Sequence, residues 1–169
     1  HTNISVWYMN GSPTVLYYLP FEGWNQSKEN FSFEYAYENH ANVTNTNWQN
    51  ITDSKVGRSY SINSTDNGNS HIAMNNTHTS LANFTVELWV KPELFKATMF
   101  TSACGDINSG CQIVSISNNF VLGIGWGIPF CQTSGGSYNI FANGSSNIID
   151  GGWTHLACVN RQDRLELYV

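Results

Sequence analysis

Hydrophobic and polar residues alternate along most of this chain, and turn residues interrupt the alternation at short intervals. The clearest segment is residues 84–90, where the apolar residues are separated by Thr85, Glu87 and Trp89. Because side chains in a strand point alternately to the two faces of a sheet, this pattern predicts a half-buried strand with Trp89 on the polar face. Pro92 lacks an N–H group and is expected to end that strand.

Three pairs of segments show the pattern of antiparallel hairpins. We predict one hairpin around Asn118-Asn119, running to Trp126, and a second that joins residues 153–159 to 164–169. A third hairpin is predicted to join residues 59–63 and 71–75 across a loop that contains Gly68. Residues 15–21 are predicted to form an aromatic-rich strand, and residues 22–48 are interpreted as irregular structure. No segment predicts a helix, so an all-β sandwich or barrel is expected.

The N-terminal segment is treated separately from the rest of the chain. Residues 4–9 are apolar and precede a Gly-Ser-Pro break, which divides residues 1–13 from a main domain at 14–169. Two interpretations stay open for this segment. The strand pairs within its own sandwich, or it leaves to complete the sheet of a neighbouring molecule.

Asn-x-Ser/Thr sequons are more frequent than the composition explains. The chain of 169 residues has ten of them, whereas random placement of its Asn, Ser and Thr residues predicts roughly four. This excess indicates an N-glycosylated protein of the extracellular space or cell surface. The expected glycosylation sites are Asn3, Asn10, Asn25, Asn30, Asn42, Asn50, Asn63, Asn75, Asn83 and Asn143.

The four cysteines form an even set without the spacing of a zinc site. In a secreted chain this indicates two disulfides, for which three connectivities exist. A short polar loop separates Cys104 from Cys111, which favours that pair. The remaining pair, Cys131 with Cys158, would then tie a loop to a late strand.

Composition and charge exclude two classes of partner. Charged residues make up 11% of the chain and the net charge is -5, which does not provide the positive surface that nucleic acids require. The sequence contains no apolar stretch of the length of a membrane span. We therefore expect neither nucleic-acid binding nor a membrane span in this chain.

Two of the predicted strand pairs also resemble a known family. The sequences FTVELWVKPE (84–93) and GGWTHLACVNRQDRLELYV (151–169) look like core strands of laminin G-like and pentraxin-like domains. VLYYLPFEG (15–23) and KVGRSYSIN (55–63) are similar to the first strands of that group. The resemblance covers about residues 14–169 and implies a concanavalin A-like jelly roll, a β-sandwich of two antiparallel sheets with about six or seven strands each.

The resemblance carries further expectations about individual positions. It implies that Trp153 fills the core and that His155, on the same strand face, makes a buried hydrogen bond. The usual C-terminal strands of the family are not in this sequence, so strands from a longer chain or from a partner are expected to complete the sandwich.

Candidate chemistry is sparse. The chain has no paired carboxylate motif, nucleophile elbow, phosphate loop or HExxH motif, so an enzyme is not expected and no cofactor is required. The resemblance makes Asp106 and Asn108 candidate calcium ligands, although two oxygen ligands alone do not fill a calcium shell. Trp89 and Trp126 are the candidate ligand-binding residues, because an exposed indole can stack on a sugar.

The expected function is that of an N-glycosylated, non-enzymatic extracellular module for adhesion or recognition, with a glycan or an extracellular protein as its partner. The alternative is a structural glycoprotein subunit of an extracellular filament, surface coat or virion spike. Such a subunit would bind copies of itself by strand exchange.

Overall fold

A computed structural model describes residues 8–9, 12–13, 31–32, 41–44, 47–49, 59–61, 71–73, 83–92, 111–116, 120–135, 138–149, 152–161 and 164–169. Every regular element in these residues is a β-strand. The chain divides into two compact units, His1–Asn75 and Asn76–Val169. The division predicted between residues 1–13 and 14–169 stays a prediction, and the strand predicted at 15–21 lies outside the described residues.

The first unit contains seven described strands, which are short. They are β1 (Tyr8–Met9), β2 (Ser12–Pro13), β3 (Phe31–Ser32), β4 (Ala41–Thr44), β5 (Asn47–Gln49), β6 (Ser59–Ser61) and β7 (His71–Ala73). All pairings are antiparallel, in the orders β1-β2, β3-β4-β7 and β5-β6. The N-terminal strand β1 thus pairs with β2 of its own chain.

Two predictions for the first unit are wrong. In their described parts, residues 59–61 and 71–73 do not pair with each other as the predicted hairpin requires, because β6 pairs with β5 and β7 pairs with β4. Residues 22–48, interpreted as irregular, contain β3, β4 and part of β5. In β4, Ala41 and Val43 are buried and Asn42 is exposed. This is a strand alternation, obscured in the sequence by the surrounding polar residues.

The second unit contains two antiparallel sheets. Its strands are β8 (Asn83–Val90), β9 (Cys111–Ile116), β10 (Phe120–Gly125), β11 (Ile128–Gly135), β12 (Tyr138–Asn143), β13 (Thr154–Arg161) and β14 (Arg164–Tyr168). One sheet has four described strands in the order β12-β11-β10-β9, and the other has three in the order β14-β13-β8. The described strands do not test the six or seven strands per sheet that the resemblance implied, which stays a prediction.

Alternate residues of both sheets meet in one hydrophobic core. Phe120, Leu122 and Ile124 of β10 and Leu156 of β13 are buried there. The apolar residues at even positions of β8 pack against them, while its odd positions are exposed. The all-β sandwich and the strand at 84–90 are therefore confirmed. The amphipathic alternation drives this packing, since each sheet buries one apolar face against the other.

Two contacts fix how the sheets lie on each other. The disulfide Cys131–Cys158 joins β11 to β13, with 6.5 Å between the Cα atoms, and both cysteines are fully buried. The ring centroids of Phe84 in β8 and Phe120 in β10 lie 5.0 Å apart, edge to face. Along the sandwich, the two contacts follow one another in the same order in both sheets. Strands β8 and β10 therefore run in the same direction. The end of β8 and the β10–β11 turn consequently lie at one end of the sandwich.

The disulfide Cys131–Cys158 is the pair that was left once the spacing favoured Cys104 with Cys111, but its environment differs from the prediction. Cys131 lies within strand β11, opposite Leu122, and not in a loop. Strands β11 and β12 were not predicted from the sequence. Cys104 lies outside the described residues, so its pairing with Cys111 stays a prediction.

The described strands confirm two of the predicted hairpins. The predicted hairpins at 114–126 and 153–169 are present as the pairs β9–β10 and β13–β14. A further turn at Trp126 and Gly127 joins β10 to β11, with φ values of 54° and 82°. Two consecutive positive φ values suit a two-residue hairpin because they match the twist of the strands. A Cβ at Gly127 would collide with the Asn147 carboxamide, so glycine is required there.

Removal of the inter-sheet disulfide tests this account of the core. The double variant C131A/C158A is expected to lower the free energy of unfolding by about 3 to 4 kcal/mol, because the bond closes a loop of 27 residues in the unfolded chain. Urea denaturation followed by tryptophan fluorescence measures the change. The exposed-site variant Gln112→Ala serves as the control, and a loss below about 1 kcal/mol in the double variant would contradict the central position of the bond.

Candidate functional site

The outward face of the three-stranded sheet carries the most distinctive group of exposed side chains among the described residues. On β8 this face shows the odd-numbered residues, because the even-numbered ones point into the core. The ladder places Trp89 opposite His155, and it aligns Glu87, Ala157 and Tyr168 across the three strands. We call these five residues the Trp89 surface; Ala157 at its centre is buried, and the other four are exposed or half-exposed. Pairing on both sides of β13 holds their backbones rigid.

Trp89 and His155 form the aromatic part of this surface. Their ring centroids lie 5.0 Å apart with the planes tilted by 51°. The indole is 44% exposed, so part of its surface is open to solvent. The Nε2 atom of His155 lies 3.9 Å from Oε2 of Glu87, which is too long for a hydrogen bond but places the carboxylate beside the imidazole. An indole, an imidazole and a carboxylate therefore share one exposed patch.

The prediction of a buried His155 is wrong. Its side chain is 41% exposed and lies on the outer face. In β13 the residues that point into the core are Leu156 and Cys158, so the strand register is shifted by one residue from the one expected. A shift of one residue exchanges the two faces of a strand. For the same reason, Trp153 is not among the residues of the described core.

A charged cluster borders the Trp89 surface. Nε of Arg161 lies 3.3 Å from Oε2 of Glu166, and Nε of Arg164 lies 3.0 Å from Oε1. The Tyr168 hydroxyl donates a hydrogen bond of 3.1 Å to Oε2 of Glu166. Both oxygens of this carboxylate are thus engaged, and the bond holds the Tyr168 ring, which is 56% exposed, over the sheet.

Two carboxylates lie on this face of the sheet. Glu87 and Glu166 are on the two strands that flank β13, two residues apart along the ladder. Strand spacings of about 4.8 Å and residue rises of about 3.4 Å place their Cα atoms about 12 Å apart. Glu166 is engaged by Arg161, Arg164 and Tyr168, whereas Glu87 lies beside His155.

The second candidate tryptophan lies on the other sheet. Trp126 is 55% exposed and occupies the first position of the β10–β11 turn. Ile148 N donates to Gly127 O over 2.9 Å, so the segment after β12 packs against this turn. Trp126 and Trp89 lie at the same end of the sandwich, but the structure places them on different sheets and does not bring them into one site.

Some of the other predicted site residues lie in the described part of the chain, and others lie outside it. Asn42, Asn83 and Asn143 lie in described strands and are exposed. Asp106 and Asn108 lie outside the described residues, so calcium binding there stays a prediction. Among the described residues, no three His, Cys, Asp or Glu side chains are grouped as a metal site requires. The other sequons, also outside the described residues, are Asn3, Asn10, Asn25, Asn30, Asn50, Asn63 and Asn75.

Of the Trp89 surface, only Trp89 was a candidate in the sequence; His155 and Tyr168, and Glu166 at its border, could have been recognised as well. Tyr168 and Glu166 alternate with Leu165 and Leu167, and this alternation already predicts an outward face for the polar pair. The outward position of His155 follows from the same alternation once β14 is set in register with β13. The informative signal was the cross-strand register of the last hairpin.

The fold and the exposed surface together define a class, the antiparallel β-sandwich binding modules. A family model described as the concanavalin A-like lectin/glucanases superfamily, laminin G type, matches residues 66–169. The chain belongs to this family, which confirms the resemblance over more than half of the sequence. The similar segments at 15–23 and 55–63 lie before the matched residues.

Neither the curated proteins nor the solved structures that were compared contain a match to this chain. Laminin G-like domains in general bind carbohydrates or proteins, are non-enzymatic and occur outside the cell. Within the described residues, no helix is long and apolar enough to span a membrane.

Proposed function

We propose that this protein is a non-enzymatic, N-glycosylated extracellular recognition module that binds carbohydrate through the Trp89 surface. The observation that carries the proposal is the half-exposed indole of Trp89 beside His155 and Glu87 on the outer face of the sheet. Sugars bind proteins through an aromatic ring that packs on the C–H face of a pyranose and through polar groups that bond its hydroxyls. The Trp89 surface offers both.

The rigidity of the sheet supports this assignment. Trp89 lies one residue before the end of β8, and its backbone is part of a continuous ladder with β13. A platform built on paired strands loses little conformational entropy on binding, so more of the contact energy contributes to affinity. Tyr168, held by its bond to Glu166, extends the aromatic surface across the sheet.

The compartment is inferred from two features of the covalent chemistry. The excess of sequons is typical of proteins that pass through the secretory pathway, and the disulfide Cys131–Cys158 is stable in an oxidising environment. Adhesion or recognition at the cell surface fits both. An extracellular protein is the other class of partner, and it would use the same exposed aromatic residues as contact points.

Substitution of the two exposed tryptophans tests the site. Trp89→Ala is expected to raise the Kd for a carbohydrate selected on a glycan array by about 10-fold to 30-fold, because the stacking platform is lost. Isothermal titration calorimetry measures the Kd, and thermal denaturation checks that the variant folds.

Trp126→Ala is the matched control, since it removes an exposed indole from the other sheet. It is expected to leave the Kd unchanged. Weaker binding by the Trp126 variant alone would place the site at the β10–β11 turn and contradict the proposal. Binding to an extracellular protein and to no glycan would retain the module but exclude carbohydrate as its ligand.

A second candidate function is a structural subunit of an extracellular filament, coat or spike. The observation that favours it is the position of β14, which is an edge strand in the described part of its sheet. An edge strand offers backbone N–H and C=O groups to a strand of another molecule, and strand addition builds assemblies in this way.

The mass of the native protein distinguishes the two functions. A recognition module is expected to elute as one or a few glycosylated chains when gel filtration is coupled to light scattering. An assembly subunit would instead form an open-ended species whose size increases with concentration. That second result would contradict the recognition module as the primary function.

A further inference from the structure

A stacked aromatic pair with one exposed ring lies next to one of the sequons. Phe141 and Asn143 are separated by one residue in β12, so their side chains lie on the same outward face of the four-stranded sheet. The Phe141 ring stacks on Phe130 of the neighbouring strand, with centroids 5.7 Å apart and planes inclined by 18°. Phe130 is buried, whereas Phe141 is 37% exposed. The pair therefore leaves an apolar ring surface open to solvent beside Asn143.

The register sets the distance between the sequon and the pair. Asn143 lies directly opposite Phe130 in the ladder of β11 and β12. Residues in this relation have Cβ atoms about 5 Å apart, and diagonal neighbours such as Phe141 and Phe130 are within reach of each other. A group attached to Asn143 Nδ2 starts next to the stacked rings.

The backbone of the sequon is also held in place. Gly144 N donates to Pro129 O over 2.7 Å, and a Cβ at Gly144 would meet Pro129 Cγ at 2.8 Å. The middle residue of this sequon is thus pressed against β11, and only glycine fits there. Ser145, the third sequon residue, is exposed. The direction in which Asn143 leaves the sheet is therefore set by β11.

We propose that the first N-acetylglucosamine of a glycan on Asn143 packs its apolar face on the exposed ring of Phe141, which stacks on the buried Phe130, and stabilises the sandwich. This inference rests on the proposed N-glycosylation. In the modification, Asn143 Nδ2 loses a proton and bonds to the anomeric carbon of N-acetylglucosamine, while the bond from that carbon to a lipid diphosphate donor breaks. The ring then covers aromatic surface that is otherwise exposed, and this burial favours the folded state.

A second sequon of the same unit provides the contrast. Asn83 lies at the start of β8, where Thr85 is its neighbour on the same face and Arg161 lies opposite. Neither residue offers an aromatic ring to a sugar. A glycan on Asn83 is therefore expected to extend into solvent and to add little stability.

A double-mutant cycle on the glycosylated protein tests the inference. The protein is secreted from a eukaryotic host and trimmed to one N-acetylglucosamine per site, and glycopeptide masses report whether Asn143 is occupied. Ser145→Ala, which removes the sequon and keeps Asn143, is expected to lower Tm by about 2 to 4 °C. In a Phe141→Leu background the same change is expected to lower Tm by less than about 1 °C.

Thr85→Ala, which removes the Asn83 sequon, is the matched control and is expected to shift Tm by less than about 1 °C through its glycan. To separate that effect from the side chain, the Thr85→Ala shift is compared with the shift in protein made without glycans. Phe141→Ala repeats the cycle if the leucine variant does not fold.

Several results would overturn the inference. An equal loss of Tm from Ser145→Ala with and without Phe141, or no loss at all, would show that the sugar does not use the ring, while N-glycosylation itself would stand. An unoccupied Asn143 would overturn both the inference and glycosylation at this position. Neither result affects carbohydrate binding by the Trp89 surface, which the calorimetry of the Trp89 variant measures separately.

Discussion

The disulfide between Cys131 and Cys158 is the constraint on which the second unit depends. It lies in the core and connects the middle strand of the three-stranded sheet to β11 of the opposite sheet. Leu122, opposite Cys131, and Leu156, two residues before Cys158, are fully buried around it. The bond fixes which part of β13 faces which part of β11. One further contact, Phe84 on Phe120, is then enough to set the direction of one sheet relative to the other.

This arrangement determines what the outer faces present. Once the cysteine side of β13 points inward, His155 and Ala157 must point outward, and the ladder then brings Trp89, Glu87 and Tyr168 around them. The same rule on β12 places Phe141 and Asn143 together on the other sheet. The Trp89 surface and the proposed glycan contact thus both follow from the two-residue period of strands in two sheets that pack on one core.

The sequence predicts most of this fold where alternation is strong. The strand at 84–90, the last hairpin and the outward position of Trp89 follow directly from period two. The strands β11 and β12 were missed because Gly127, Pro129 and the polar residues 132–135 weaken the apolar pattern, although Pro129 is among the most deeply buried residues. In the first unit, the pairing of β4 with β7 depends on contacts between residues far apart in the chain, which local patterns do not encode.

The candidate site was only partly predictable for the same reason. The outward position of Trp89 can be predicted from the alternation in its own strand. Its contact with His155 depends in addition on the register between β8 and β13. A resemblance to a family supplied the fold but placed His155 on the wrong face, because one residue of slip reverses a strand. Glu166 shows the converse case, since its two arginine partners lie within the final hairpin and could be aligned from the sequence.

Mapping of the bound surface is the most direct test of the central claim that the outer face of the three-stranded sheet is the recognition site. Two-dimensional amide NMR spectra of the labelled protein would be recorded while the tightest-binding glycan is added. The largest chemical-shift changes are expected on residues 85–91, on residues 154–159 and on Tyr168. Changes confined to the four-stranded sheet, at residues such as Gln132 and Phe141, would contradict it.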